Sequence, residues 1–306
     1  MRFIKYFIFL FFAISHSQNN SKYSNEFMNI GVDAASISMS GAVTSSINDV
    51  NSGYWNPAGL TAVEHGEISL MHSNYFANIA NYNYIAYAKP IDSQSAIGFS
   101  MIRFGVDDIL DTTQLIDDQG NINYDRINLF SAVDYGFIIS YARKMITKEI
   151  SYGINTKIIR RIIGDFATSW GFGLDIGIQL KTSNDWRFGL MARDISTTYN
   201  SWSTNETRLN DIQNAIDGQN QEIPNSTEVT MPKIQLGVSK LHKINYDYSL
   251  LTSFDLIMKF EQNNSLISTE FISINPAIGL EIGYTDHVVL RLGIGNFQKE
   301  IEFDNS

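Results

Sequence analysis

The sequence predicts an all-β fold: a transmembrane antiparallel β-barrel preceded by a segment that plugs it. Three observations carry this prediction: long stretches of two-residue alternation, an apolar leader, and no apolar run long enough for a spanning helix. From Trp170 to Lys181, Trp170, Phe172, Leu174, Ile176, Ile178 and Leu180 alternate with Gly171, Gly173, Asp175, Gly177, Gln179 and Lys181. Successive side chains of a strand point to opposite faces. One face is therefore bulky and oily and the other small or polar, which suits lipid outside and a polar lumen inside. A soluble sandwich also alternates, but its strands usually run about 5–6 residues. These approach the ~9–11 that cross a bilayer at a tilt.

Taken in order, Met1 to about Ser17 reads as a secretory signal peptide. Arg2 and Lys5 supply the positive start, Tyr6 to Ile14 the apolar run, and Ser15-His16-Ser17 a small-x-small cleavage pattern. The run is too short to span as a helix, which needs ~20 residues. Export without a helical span, combined with barrel strands, predicts the outer membrane of a diderm bacterium. The chain has no cysteine, so neither a disulfide framework nor a lipid-modified cysteine is available.

Residues 18–65 form the predicted hatch. The part from Glu26 to Val63 does not alternate, is rich in Gly, Ala and Ser, and contains Trp55-Asn56-Pro57-Ala58-Gly59. Small residues let backbones pack closely, and Pro57 fixes a turn. Residues 66–306 form the predicted barrel. About eleven strands are readable by the barrel pattern: near 66–76, 79–90, 94–105, 133–145, 148–162, 165–182, 185–193, 229–241, 246–260, 268–285 and 287–296. Several joints are turn-like, including Ala77-Asn78, Ser183-Asn184 and Thr285-Asp286. Two connections are long: Asp107 to Ala132, which is acidic, and Ile195 to Thr227, where Leu209, Ile212, Ala215 and Ile216 fall at helical spacing. Both are expected to face the cell exterior, since these barrels put short turns on one side and long loops on the other. Eleven strands do not close an even-numbered barrel, so either the N-terminal segment holds unread strands or, the favoured expectation, the chain lacks its last strands.

Composition narrows the function. The formal net charge is −10, which argues against nucleic acid as a partner because a phosphate-binding surface needs clustered Lys and Arg. Hydrophobic residues make up 44% and charged residues 18%, with 15 Tyr and 4 Trp to furnish interfacial rings. No catalytic constellation emerges, and the chain is read as a non-enzyme without a cofactor. His16, His65, His72, His242 and His287 are scattered, none with another at i+4, so no zinc site is expected. Asp107, Asp108, Asp111, Asp117 and Asp118 lack EF-hand spacing and read as a solvated loop. Gly171-Phe172-Gly173 and Gly293-Ile294-Gly295 lie inside strands with no helix following, so they are no dinucleotide loop. Arg160, Arg161, Asp175, Glu281 and Arg291 are expected to point into the lumen, where they would brace the hatch as internal ion pairs or, as the alternative, line a substrate path.

The stretch from Phe27 to Leu60 resembles the opening of the PorV/PorQ family of Bacteroidetes outer-membrane proteins. That family is related in fold to the FadL long-chain fatty-acid transporters. The residues that carry the resemblance are Ile30-Gly31, Met39-Ser40-Gly41, Asn48-Asp49 and Tyr54 to Leu60. It continues through Arg103 to Asp108 and Arg160 to Phe166, and reaches Gly295-Asn296-Phe297-Gln298. Family members run on past that point with further strands. The resemblance implies a FadL-like barrel of about 14 strands, with Asn56-Pro57-Ala58-Gly59 structural within the hatch. It also implies a component of type IX protein secretion. Such a protein sits in outer-membrane lipid, binds cargo through its C-terminal signal domain, and shuttles it between the translocon and the attachment proteins. The alternative is a FadL-like transporter of hydrophobic small molecules, with an apolar pocket behind the hatch and a lateral opening at a kinked strand.

Overall fold

The computed structural model describes residues 24–116, 119–145, 149–208, 227–285 and 287–299. The leader, Asp117 and Asp118, the stretch from Leu209 to Ile216, and the last residues from Phe303 lie outside the described residues. Among the described residues, no helix is long and apolar enough to cross a membrane.

Among the described residues, fourteen strands form one antiparallel sheet. They are β1 (Glu67–Tyr75), β2 (Ala80–Pro90), β3 (Ser95–Asp111), β4 (Asn128–Lys144), β5 (Ile150–Ile163), β6 (Ala167–Lys181), β7 (Trp186–Arg193), β8 (Thr198–Thr204), β9 (Thr227–Thr230), β10 (Lys233–Lys243), β11 (Tyr248–Lys259), β12 (Ile267–Ser268), β13 (Ser273–Tyr284) and β14 (Val288–Ile294). The eleven strands read from alternation are all present, and β8, β9 and β12 are short additions. None of the three adds a column of its own. β7 and β8 lie in line along one side of β6, and β12 and β14 in line along one side of β13. Among the described residues, β1 and β14 are each paired on one side only, as are the short β9 and β12.

Curvature follows from what the inner face touches. Glu67 on β1 accepts from Val50 N (2.9 Å), and Asn155 on β5 donates to Gly53 O (2.9 Å). Gln179 on β6 donates to Thr44 O and Ile47 O (3.1 and 3.0 Å). Asp255 on β11 accepts from Thr44 N (3.1 Å), and the backbone of Met39 and Ser40 presses on Gly293 of β14. One short segment reaches β1, β5, β6, β11 and β14 only because the sheet curls around it.

That segment holds itself by local chemistry. Asp33 caps the single-turn helix α1 (Ala34–Ser38), accepting from Ala35 N and Ser36 N. A second turn, α2 (Ser52–Trp55), runs into a 3₁₀ turn over Pro57–Ala62, with Pro57 where its missing N–H costs nothing. Its apolar side chains meet the inner wall in one buried cluster that includes Val32, Tyr54, Leu60, Tyr82, Ile102, Ile138 and Ile159.

The outer face is the reverse. Ile68, Leu70, Ile139, Ile154, Phe172, Leu174, Phe188, Leu280 and Leu292 are all exposed. A continuous oily surface of this extent suits hydrocarbon and not water. Two cation–aromatic pairs bound the band: Arg160 over Trp170 (4.8 Å) toward one rim and Lys240 over Trp186 (4.9 Å) toward the other. They lie about twelve residues apart along β6 and its turn, or ~30 Å along the barrel axis at ~3.3 Å per residue and ~40° tilt. That span matches a bilayer core. At the rim near Trp170, β3 and β8 end at Asp111 and Thr204 and β4 and β9 begin at Asn128 and Thr227, the ends that the long connections join; the other rim carries short turns such as 91–94 and 182–185.

Candidate functional site

The residues from Trp55 to Gly59 are the joint between the inner segment and the wall. Trp55 donates from Nε1 to Val32 O (3.1 Å), tying the end of the segment to its beginning. Asn56, fully buried and extended, accepts from Ala58 N and donates from Nδ2 to Thr44 O (2.8 Å) and Ile178 O (3.2 Å). One carboxamide thus caps a turn, fixes a loop and grips β6. A buried amide leaves such donors unpaired only at a cost of about 1–3 kcal/mol, so the side chain holds its place. Nearby, Tyr54 donates to Met28 O (2.8 Å) and accepts from Gly31 N (3.1 Å).

The wall accommodates this joint with Gly153 and Gly177, which pair directly between β5 and β6. A Cβ at Gly153 would meet Pro57 C at 2.6 Å, and one at Gly177 would meet Pro57 Cδ at 2.8 Å and overlap the Asn56 carboxamide. Real Cβ atoms do not sit that close. Here the glycine on the inner face of the alternation is a seat for Pro57.

Buried charge gathers one step further along β5. Lys157 Nζ lies 2.7 Å from Asp175 and also pairs with Asp194. All three are buried. Asp194 N donates to Asp175 (2.8 Å) and Thr198 Oγ1 to Asp194 (2.5 Å). A lone buried charge is strongly unfavourable, and this satisfied cluster avoids that. Next to it, Asn200 donates to Ser24 and Asn25 (2.8 Å to the latter). Asn25 donates to Thr230 (2.9 Å), and Ser24 to Glu228 (3.0 Å), which Arg161 also reaches (3.3 Å). The start of the inner segment is therefore held by β8 and β9.

The wall is broken at this point. β7–β10 pairing begins at Arg193↔Lys233 and β8–β9 pairing at Thr198↔Thr230. Residues 194–197 and 231–232 face each other between these registers, outside either strand pairing. Asp194 and Thr197 have positive φ (55° and 57°), and Pro232 has no N–H to give to a ladder. On the β6 side, Ile195 N still donates to Leu174 O (3.0 Å). Leu174 follows Trp170 by four residues on the outward row, so the break lies within the oily band. A cleft of about 30 Å³ enters here, lined in part by Glu26, Asn29, Asp194, Met231, Pro232 and Lys233. A second, of about 10 Å³, shares Asn29, Asp194 and Thr230 with it and reaches Met28 and Ile159 of the apolar interior. Both are closed to anything larger than a few waters.

Arg161, Asp175, Glu281 and Arg291 lie on the inner face. Arg161 pairs with Asp134 (2.8 Å) and Arg291 with Glu281 (2.6 Å), while Asp175 joins Lys157. Arg160, expected in the lumen, points outward: it pairs across the ladder with Trp170, 56% exposed, and lies over its ring. Adjacent strand residues cannot share a face, and that is the reason for the correction. Lys157, Asp194, Asn200 and Glu228 were not singled out from the sequence. Lys157 was visible there as a charge on the inner row of β5, as Arg161 was; Asp194 sits in a break with no periodic signal. Among the described residues, no group of three or more His, Cys, Asp or Glu could hold a metal ion.

No family model matches the chain, and neither does any curated protein. Among solved structures, it is similar to the CymD monoaromatic hydrocarbon channel, at 11% identity and a TM-score of 0.47 over 90% of this chain and 84% of that one. It is also similar to the Ralstonia pickettii toluene transporter TbuX, at 12% identity and TM-score 0.49 over 87% and 86%. A Pseudomonas aeruginosa FadL homologue matches at 11% identity and TM-score 0.45 over 86% and 79%.

Proposed function

We propose that this chain is an outer-membrane β-barrel that passes small hydrophobic molecules, which leave the interior sideways through the break between 194–197 and 231–232. The observation that supports this reading is the coincidence of two strand interruptions inside the oily band, beside the clefts that reach Met28 and Ile159. A barrel wall is ordinarily a continuous ladder, because an unpaired backbone group facing hydrocarbon is costly. A gap tolerated at that depth serves passage or movement. The clefts are far smaller than a ligand pocket of ~300 Å³ or more, so this is the shut form, and passage requires residues 24–29 to shift from β8 and β9.

The reading is tested by uptake of a labelled long-chain fatty acid or aromatic hydrocarbon by cells with and without the chain. Slower uptake without it, restored by the wild-type gene, supports the proposal. Unchanged uptake, together with recovery of secretion-system partners on crosslinking, would instead support the cargo-shuttling role implied by residues 27–60.

A further inference from the structure

We infer that Arg103, Tyr135 and Arg160 form, on the outer face of the barrel, a binding site for the phosphate of an outer-leaflet glycolipid. The inference rests on the membrane placement proposed above, though not on transport. The three residues occupy one register level on three consecutive strands: Arg103 pairs with Tyr135 and Tyr135 with Arg160, and Trp170 completes the row. Strands lie ~4.8 Å apart, so the two arginine stems stand ~10 Å apart with the phenol between them. Arg103 is held in place by a two-oxygen contact with Asp107 (2.8 and 2.9 Å). Arg160 lies over the Trp170 ring and donates weakly to Ser169 O (3.4 Å). Among the described residues, no carboxylate comes within ion-pair distance of it.

A guanidinium without a counter-ion on an otherwise oily surface calls for an anion that arrives in the plane of the membrane. Arginine's planar fork matches phosphate, and a tyrosine hydroxyl adds a donor to the same oxygens. The level also fits. The row lies toward the end of the wall that the long connections join, the outward side in such barrels, level with Trp170 at the edge of the oily band, where an exposed cation is tolerated. A soluble anion has no reason to prefer a face that hydrocarbon covers just below.

The test uses the full chain in detergent micelles, read by native mass spectrometry with monophosphorylated lipid A and the same lipid stripped of phosphate. The folded wild type should favour the phosphorylated lipid by about tenfold. The Arg103→Gln/Arg160→Gln variant, shown folded by its heat-modifiable gel shift, should favour it by less than about twofold, with Tyr135→Phe between. The inference is overturned if the folded wild type shows no preference, if the double variant keeps it, or if millimolar inorganic phosphate abolishes it. Flotation with vesicles is read separately. A chain that binds the phosphorylated lipid but does not float sinks the membrane placement; one that floats without preference sinks only this site.

Discussion

Gly177 lies against the Asn56 carboxamide more closely than any side chain would permit, and its neighbour Gly153 does the same for Pro57. Gly177→Val should therefore push the inner segment off β6. Overpacking of this kind costs about 1–3 kcal/mol. The expected result is faster proteolysis within residues 24–63 of the detergent-solubilised protein, with little change for the outward Ile178→Val. Equal digestion of Gly177→Val and wild type would mean the contact does not hold the segment.

Lys157 neutralises two buried carboxylates at once. Lys157→Met leaves Asp175 and Asp194 without their cation, and removing one partner of a buried pair costs about 3–5 kcal/mol. Urea unfolding should show a loss of that order, partly regained in Lys157→Met/Asp175→Asn. If the double variant is no better than the single one, repulsion between the two carboxylates is not the cause.

Asn29 and Lys233 meet across the cleft at the wall break. Because the chain has no native cysteine, Asn29→Cys/Lys233→Cys introduces the only pair of thiols, which a short crosslinker can join. Uptake of the hydrophobic probe should then fall to the level without the chain and return when the crosslink is cleaved. Uptake that continues through the crosslinked protein would exclude movement at this break as the gating step.

Burial raises the Asp49 carboxyl above the usual carboxylate range, helped by the nearby charges of Asp33 and Glu67 and opposed by the hydrogen bond from Asn51. A raised folded-state value means the stabilising contribution is full below the unfolded pKa and is lost as pH rises through the folded one. The inner segment should thus resist protease better near pH 4 than near pH 7 on this account, and Asp49→Asn should flatten that difference. An unchanged pH profile in the variant would assign it to another group.

What the sequence made legible is what repeats. Alternation located the eleven long strands because an oily outer face and a filled interior impose one rule on every residue. It missed β8, and ran the end of β9 into β10 as one strand over 229–241, because the chain is cut at Asp194 and Pro232, where the rule lapses. It put Arg160 and Arg161 together on the inner face, although neighbours on a strand point opposite ways. The motif from Trp55 to Gly59 stood out as unusual, yet its reach to Ile178, more than a hundred residues away, is a matter of tertiary placement. The Lys157 cluster likewise unites β5, β6 and the break after β7, which no local pattern announces.

The two ring-and-cation pairs, Arg160 with Trp170 and Lys240 with Trp186, act as a built-in ruler. Their separation fixes the lipid thickness that this wall can match. If the wall sits in a bilayer as proposed, lipids with a core thicker than ~30 Å would stretch past both markers, and the protein would have to thin them locally. Hydrophobic mismatch then becomes a sorting signal, decided by where two tryptophans fall on two neighbouring strands.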